Sequence, residues 1–225
     1  MNHNLHPTSM RAITVSREYG SGGGEIARML AHSLGWEVLD SGIVQLVARK
    51  LDISPEVAST HDEQVEGFAQ RLFEAMQYFS PPVLPENPLE LSVNDITYGQ
   101  TLGQVLTTAA DIGHVVIVGR GAQVTLASYK DVLHLRVVAP TSQRINCVMR
   151  RDNLDALTAG EYVYRKDRER ERSVKELHHC AISDAHLYDL IINTGALNLC
   201  CATELALRAL DYKAQSLLHP VTSSN

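Results

Sequence analysis

No stretch of about 18 apolar residues occurs in the 225-residue chain, and its start lacks the order of a secretory signal. The expectation is a soluble, cytoplasmic protein with no membrane partner. Basic residues are in deficit as well. Lys and Arg total 20 against 26 Asp and Glu, giving a net charge of −6 and a pI near 5.9. That balance argues against nucleic acid as a partner. Cysteine is sparse: Cys147, Cys180, Cys200 and Cys201 form no C-x-x-C, as expected of free thiols in a reducing compartment. His178, His179, Cys180 and His186 match no zinc-ligand spacing, so no metal site is expected among them.

The charge that is present is unevenly placed. Between Arg144 and Lys175, nine basic residues stand against six acidic ones, a net of +3 that leaves −9 for the rest. A basic segment on an acidic chain suits a small polyanionic ligand. Ala12–Ser16 and Trp36–Leu39 read as short strands, as do "HVVIVG" from His114, "DVLHLRVVA" from Asp131 and "YDLIINT" from Tyr188. The continuous apolar run of "HVVIVG" suits a parallel strand buried on both faces. In the first helix, Ile26, Met29, Leu30 and Leu34 recur at helical spacing before a Gly35 cap. Further helices are predicted over 41–51, 54–79, 98–112, 122–128, 141–151, 160–179 and 199–216, with a proline-rich loop at 80–88. The alternation predicts an α/β fold with a five-stranded, mostly parallel sheet flanked by helices. It spans 12–217, with polar tails at 1–11 and 218–225.

Ligands in such sheets bind beyond the carboxyl ends of the strands. Three stretches fall there: a glycine loop after the first strand, "DSG" from Asp40 after the second, and "GRG" from Gly119 after the third. The loop, "SREYGSGGGEIA" from Ser16 to Ala27, has glycine at four of the five positions 20–24. A standard P-loop carries a Lys for the β/γ-phosphates and a hydroxyl for Mg²⁺; here those positions are Gly23 and Glu25. Glycines let backbone N–H groups approach phosphate oxygens, and the following helix adds its positive end. Tyr19, Gly20, Ser21, Gly22, Gly23, Gly24 and Glu25 are therefore the expected phosphate-binding residues. A tight turn with close helix–strand packing would use the same glycines.

"GWEVLDSGIVQLVA" (35–48), "VIVGRGAQVTLASYKDVLHLRVVAPTSQRINCVMRR" (116–151) and "RKDRERERSVKEL" (165–177) follow the loop in order, and "YDLIINTGAL" closes the series. Together they resemble the bacterial cytidylate kinases, and more closely the cytidylate kinase-like group, over about residues 12–213. The resemblance implies a P-loop NTPase-like nucleoside monophosphate kinase fold, with an insertion at about 41–100 and a helical lid at about 150–180. It implies ATP and Mg²⁺ as cofactors and a CMP- or dCMP-like acceptor, so small-molecule nucleotides are the expected partners. No pattern in the chain specifies an oligomeric state.

Site roles follow from both sources. Arg17, at the loop's entrance, is the nearest replacement for the missing Lys charge, and a guanidinium can fork across two phosphate oxygens. Arg165, Arg168, Arg172 and Lys175 share one helical face, a pattern that equally suits a solvated helix with local Glu/Arg pairs. By resemblance, Arg165 and Arg172 reach substrate phosphate, Arg168 neutralises the moving group, and Glu169 lies near base and sugar. Arg120 would contact the acceptor, as would Asp40 and Ser41. Arg17, Arg168 and Arg172 are thus the expected catalytic residues. The chain departs from cytidylate kinases at three points: Gly121 replaces the acid of "GRD", Gln45 and Leu46 replace a Tyr and the Arg that follows it, and the loop lacks Lys and Ser/Thr. A nucleotide-binding regulatory protein without catalysis, and a same-fold kinase with another small acceptor, are the alternatives.

Overall fold

The computed structural model describes residues 9–40 and 95–218, with most of 67–76. Ser41, the helix expected at 41–51, most of that at 54–79 and the loop at 80–88 lie outside the described residues. Five strands, β1 (Ala12–Arg17), β2 (Glu37–Leu39), β3 (Val115–Val118), β4 (Val132–Val138) and β5 (Leu190–Asn193), form one sheet. All pairings are parallel and the order is β2-β3-β1-β4-β5. β1 is therefore central, and the loops after β1 and β3 emerge side by side at the carboxyl edge.

The central strands turn apolar residues to both faces because helices cover both. Ile13 and Val15 of β1 pack with Val116, Leu135 and Val137 against α1 (Gly23–Leu34) and α6 (Leu199–Leu218). Ile26 and Leu30 of α1 are fully buried there, each worth about 1.5–3 kcal/mol. On the other face, Ala12, Val115 and Ile117 meet α2 (Asp95–Ile112), Leu126 and the helical residues Phe68, Leu72 and Met76. α3 (Ala122–Thr125), α4 (Thr141–Asp152) and α5 (Ala156–His178) complete the described helices of the chain.

That second face also holds a polar ladder. Thr14 and Ser16 of β1 lie in register with His134 and Arg136 of β4, and all four are buried. Thr14 Oγ1 meets His134 Nδ1 at 2.8 Å, and Arg136 Nη1 donates to Ser16 Oγ at 3.2 Å.

Observed boundaries differ from expectation mainly at α5, which begins at Ala156 rather than near Gly160. Asp155 starts it early: its Oδ1 accepts the N–H groups of Leu157 and Thr158 at 2.9 and 3.0 Å, a cap worth about 1 kcal/mol. No helix among the described residues is long and apolar enough to cross a membrane.

Candidate active site

The glycine loop joins β1 to α1, and three of its glycines are needed for packing. Gly20 and Gly22 have φ of 80° and 81°; a Cβ on Gly20 would lie 2.8 Å from the Arg144 carbonyl, and one on Gly22 would lie 2.5 Å from Leu199. A Cβ on Gly23 would sit 2.6 Å from the Cβ of Arg17. Gly24 alone faces open space. The tight-turn use of the loop is thus present, and Gly24 is left open beside it. The first N–H groups of α1 have no intrahelical acceptor and leave a donor-rich, positive end beside Gly24.

The loop's side chains do not face a ligand as expected. Ser21 is buried, with its hydroxyl within bonding distance of the carbonyls of Glu18 (2.9 Å) and Val137 (3.2 Å). The Tyr19 hydroxyl accepts from Arg151 Nη2 at 2.7 Å, and its ring lies under both Arg151 and Arg170. Both side chains brace the loop.

Sequence reasoning missed the clamp that sets the loop's shape. Buried Arg144 of α4 donates to the Tyr19 carbonyl at 3.2 Å and to the Ala139 carbonyl at 3.0 Å, faces Glu18 at 3.4 Å, and bonds Asp167 of α5. Asp167 Oδ1 in turn accepts the Tyr19 N–H at 2.7 Å. Loop, α4 and α5 are so joined by one carboxylate. These residues come from three separate segments, and no local periodicity signals them.

Arg17 is where the charge gathers. Its side chain passes over Gly23 and reaches Gly119, where any Cβ would collide with the guanidinium. Burial lowers the Arg17 pKa to about 10, followed by repulsion from Arg170 and Arg120, with Asp40 and Glu25 opposing. Arg170 Nη1 donates to the Arg17 carbonyl at 3.0 Å, and burial lowers its pKa too. Arg17, Arg120, Lys166 and Arg170 line one cavity of about 290 Å³ between the strand ends and α5. Arg120 holds a left-handed φ of 60° between Gly119 and Gly121, also left-handed. Such a backbone is uncommon outside glycine and gathers at functional sites.

α5 presents a different face from the one its arginines define. Val163 and Val174 are buried and fix its rotation. Lys166, Glu169, Arg170 and Ser173 then border the cavity, whereas Arg168 and Arg172 lie on the exposed side. Arg172 pairs with Glu176 at 2.7 Å, and Arg165 lies over the Tyr162 ring at 4.4 Å. Arg168 and Arg172, expected as catalytic, thus lie away from this cavity, and Arg170 is the guanidinium on its side. The apolar seam Ala159–Val163–Val174 was the signal that could have found it. Glu169 pairs with Lys166 at 2.8 Å, and that bond holds its pKa down. Glu25 lies 3.6 Å from Arg28 on α1, and Asp40 follows β2 within the field of Arg17. A side chain at Gly121 would strike the His178 imidazole, so the acid of "GRD" has no room here.

A family model described as the cytidylate kinase-like family matches residues 12–196. A cytidylate kinase of Serratia proteamaculans is 26% identical over 235 residues, covering 92% of this chain and 96% of that protein. A uronate isomerase of Corynebacterium glutamicum is 30% identical over 107 residues, 48% of this chain; the chain spans only 20% of that protein's length. Among solved structures, an uncharacterized protein from Eubacterium ventriosum has a TM-score of 0.65 at 22% identity, covering 90% of this chain and 99% of that one. A gluconokinase from Sinorhizobium meliloti has a TM-score of 0.50 at 12% identity, covering 92% and 95%. The parallel sheet and flanking helices are those of a P-loop NTPase-like α/β fold. With its family model matched over most of its length, and its site built at the end of β1, this chain belongs to the cytidylate kinase-like family.

Proposed function

We propose that the chain is a nucleoside monophosphate kinase, transferring the γ-phosphoryl group of ATP to an acceptor of the CMP or dCMP type. Its family and fold support a small-molecule phosphotransferase. The observation that carries the finer reading is the convergence of Arg17, Arg120 and Arg170 on one cavity beside the glycine loop. Like charges held together in a partly desolvated site repel one another, and a polyanion relieves that repulsion.

The residues present fit a nucleotide's phosphates. α1's open N–H groups and Gly24 cradle the donor phosphates. Arg17 stands in for the loop Lys and reaches the transferring group. Arg120 holds the acceptor phosphate, and Arg170, on the α5 lid, neutralises charge as the lid closes. The acceptor phosphate oxygen forms the new bond to the γ-phosphorus as the bond to the β-bridging oxygen breaks. ADP leaves, and no side-chain base is needed. Glu25 and Asp40 would hold Mg²⁺ through water; when bound, it supplies neutralisation of the phosphate oxygens. Arg165 and Glu169, at the lid's outer edge, and Asp40 complete the acceptor's surroundings.

A second reading, a smaller acceptor, is favoured by the cavity itself. Its roughly 290 Å³ lies at the small end of ligand pockets, which run about 300–1,000 Å³. The test is ADP formation from Mg·ATP with CMP, dCMP, UMP, AMP, GMP and gluconate. Turnover with a nucleoside monophosphate supports the proposal, and turnover with gluconate alone supports the second reading. ATP binding without turnover of any acceptor would defeat both.

A further inference from the structure

The turn that carries Arg120 is held from both sides. Gly119, Arg120 and Gly121 have φ of 79°, 60° and 70°, three left-handed residues in succession. The Ala122 N–H donates to the Gly119 carbonyl at 3.1 Å and closes the turn around Arg120 and Gly121. Two central residues with positive φ mark a type I′ turn, which favours Gly, Asn and Asp. Arginine at the first of them carries a backbone cost, and such a residue persists where its surroundings leave it no alternative.

Three contacts supply those surroundings. The Gly119 N–H donates to the Val15 carbonyl at 3.0 Å, tying the turn to β1. The Arg17 guanidinium occupies the place of a Cβ on Gly119, and the His178 imidazole occupies the place of one on Gly121. Arg17 ends β1 at the glycine loop, whereas His178 is the last residue of α5. Arg120 is thus seated between a cation of the loop and the end of the lid.

The imidazole acts there by its volume. His178 Nε2, the atom nearest the Gly121 position, is buried with no hydrogen-bond partner among the described residues. An unpaired buried nitrogen is a cost, so what the ring contributes is the space it fills. Gly119, Arg120 and Gly121 line the arginine cavity and His178 does not. The ring therefore bears on the turn from behind.

We propose that His178 is a positioning residue for the acceptor: by filling the space beside Gly121 it keeps the turn left-handed and Arg120 at the cavity wall. This inference rests on the nucleotide-kinase reading above, in which Arg120 holds the acceptor phosphate. Displacing the end of α5 removes the packing from Gly121, so lid position and acceptor binding are coupled.

The test is steady-state kinetics of the full-length wild type, His178→Ala, His178→Met, Arg120→Asn and the double variant Arg120→Asn/His178→Ala. Mg·ATP is paired with CMP, UMP or AMP, whichever the wild type turns over fastest. His178→Ala should raise KM for the acceptor about tenfold or more, as a misplaced binding group does, and leave KM for ATP within about twofold. His178→Met, which refills the space with a flexible side chain, should restore the acceptor KM. Arg120→Asn suits a left-handed backbone, and in that background His178→Ala should add nothing, because both act through one group. Faster hydrogen exchange at the Ala122 amide should mark the loosened turn in His178→Ala. An unchanged acceptor KM in His178→Ala, an equal rise in both KM values, no recovery in His178→Met, or a full effect in the Arg120→Asn background overturns the inference and leaves the kinase reading standing. Turnover of no monophosphate by the wild type overturns both. Should His178→Ala fail to fold, His178→Asn, whose side chain is shorter than the ring, is read in its place.

Discussion

Gly23 and Arg17 compete for one volume: a Cβ on Gly23 would lie 2.6 Å from the Cβ of Arg17. The position where a P-loop carries its Lys has no room for a side chain because the Cβ of Arg17 occupies that space, while the Arg17 guanidinium reaches on to Gly119. Gly23→Lys alone should destabilise the fold by about 1–3 kcal/mol through overpacking and lower turnover. The double variant Arg17→Gly/Gly23→Lys should recover much of both. Thermal unfolding and kcat measured on the three proteins check this, and a double variant no better than the single one contradicts it.

The lid arginines are separable. Arg170→Ala should reduce kcat about 100-fold or more, as loss of a guanidinium at the moving phosphoryl group does. Arg172→Ala, on the exposed face beside Glu176, should leave kcat within about twofold, since exposed pairs contribute little. Steady-state kinetics on the two variants distinguishes them.

Asp167 joins the glycine loop to α4 and α5. Asp167→Ala leaves buried Arg144 without that partner and frees the Tyr19 N–H. The expected loss is about 1–3 kcal/mol of stability, read by denaturant unfolding. Faster hydrogen exchange at the Tyr19 amide should accompany it. Asp167→Asn, which keeps an acceptor for that amide, should lose less.

Much of the fold is legible in the chain, because β3 reads as a continuous apolar run and β1 and β4 are apolar around the polar ladder of Thr14, Ser16, His134 and Arg136. The glycine loop and Arg17 are legible because they depart from a known pattern at fixed positions. The rotation of α5 is not legible from charge. Arginines occur on most of its faces between Arg165 and Arg172, so a charged stripe can be drawn in more than one phase. Only the sparse seam of Ala159, Val163 and Val174 decides which is inward. Arg144 and Asp167 are 23 residues apart on different helices, and their pairing is created by the packing of α4 on α5.

His134 makes stability acid-sensitive. Burial lowers its pKa from 6.5 to about 4, so the folded protein keeps the ring neutral beside Thr14. Between those values the unfolded chain binds a proton that the folded one does not, and stability falls as pH falls. Across that window the loss is about 3 kcal/mol. Urea unfolding of the wild type and His134→Gln over the same range should show the slope flattened in the variant.

The central claim is that Arg17 does the work of the absent loop lysine. It is tested most directly by the single-turnover rate of phosphoryl transfer from Mg·ATP to the best monophosphate acceptor, compared between wild type and Arg17→Ala at saturating substrates. The account predicts a fall of about 100-fold or more with the fold intact. An Arg17→Ala enzyme as fast as the wild type would contradict it.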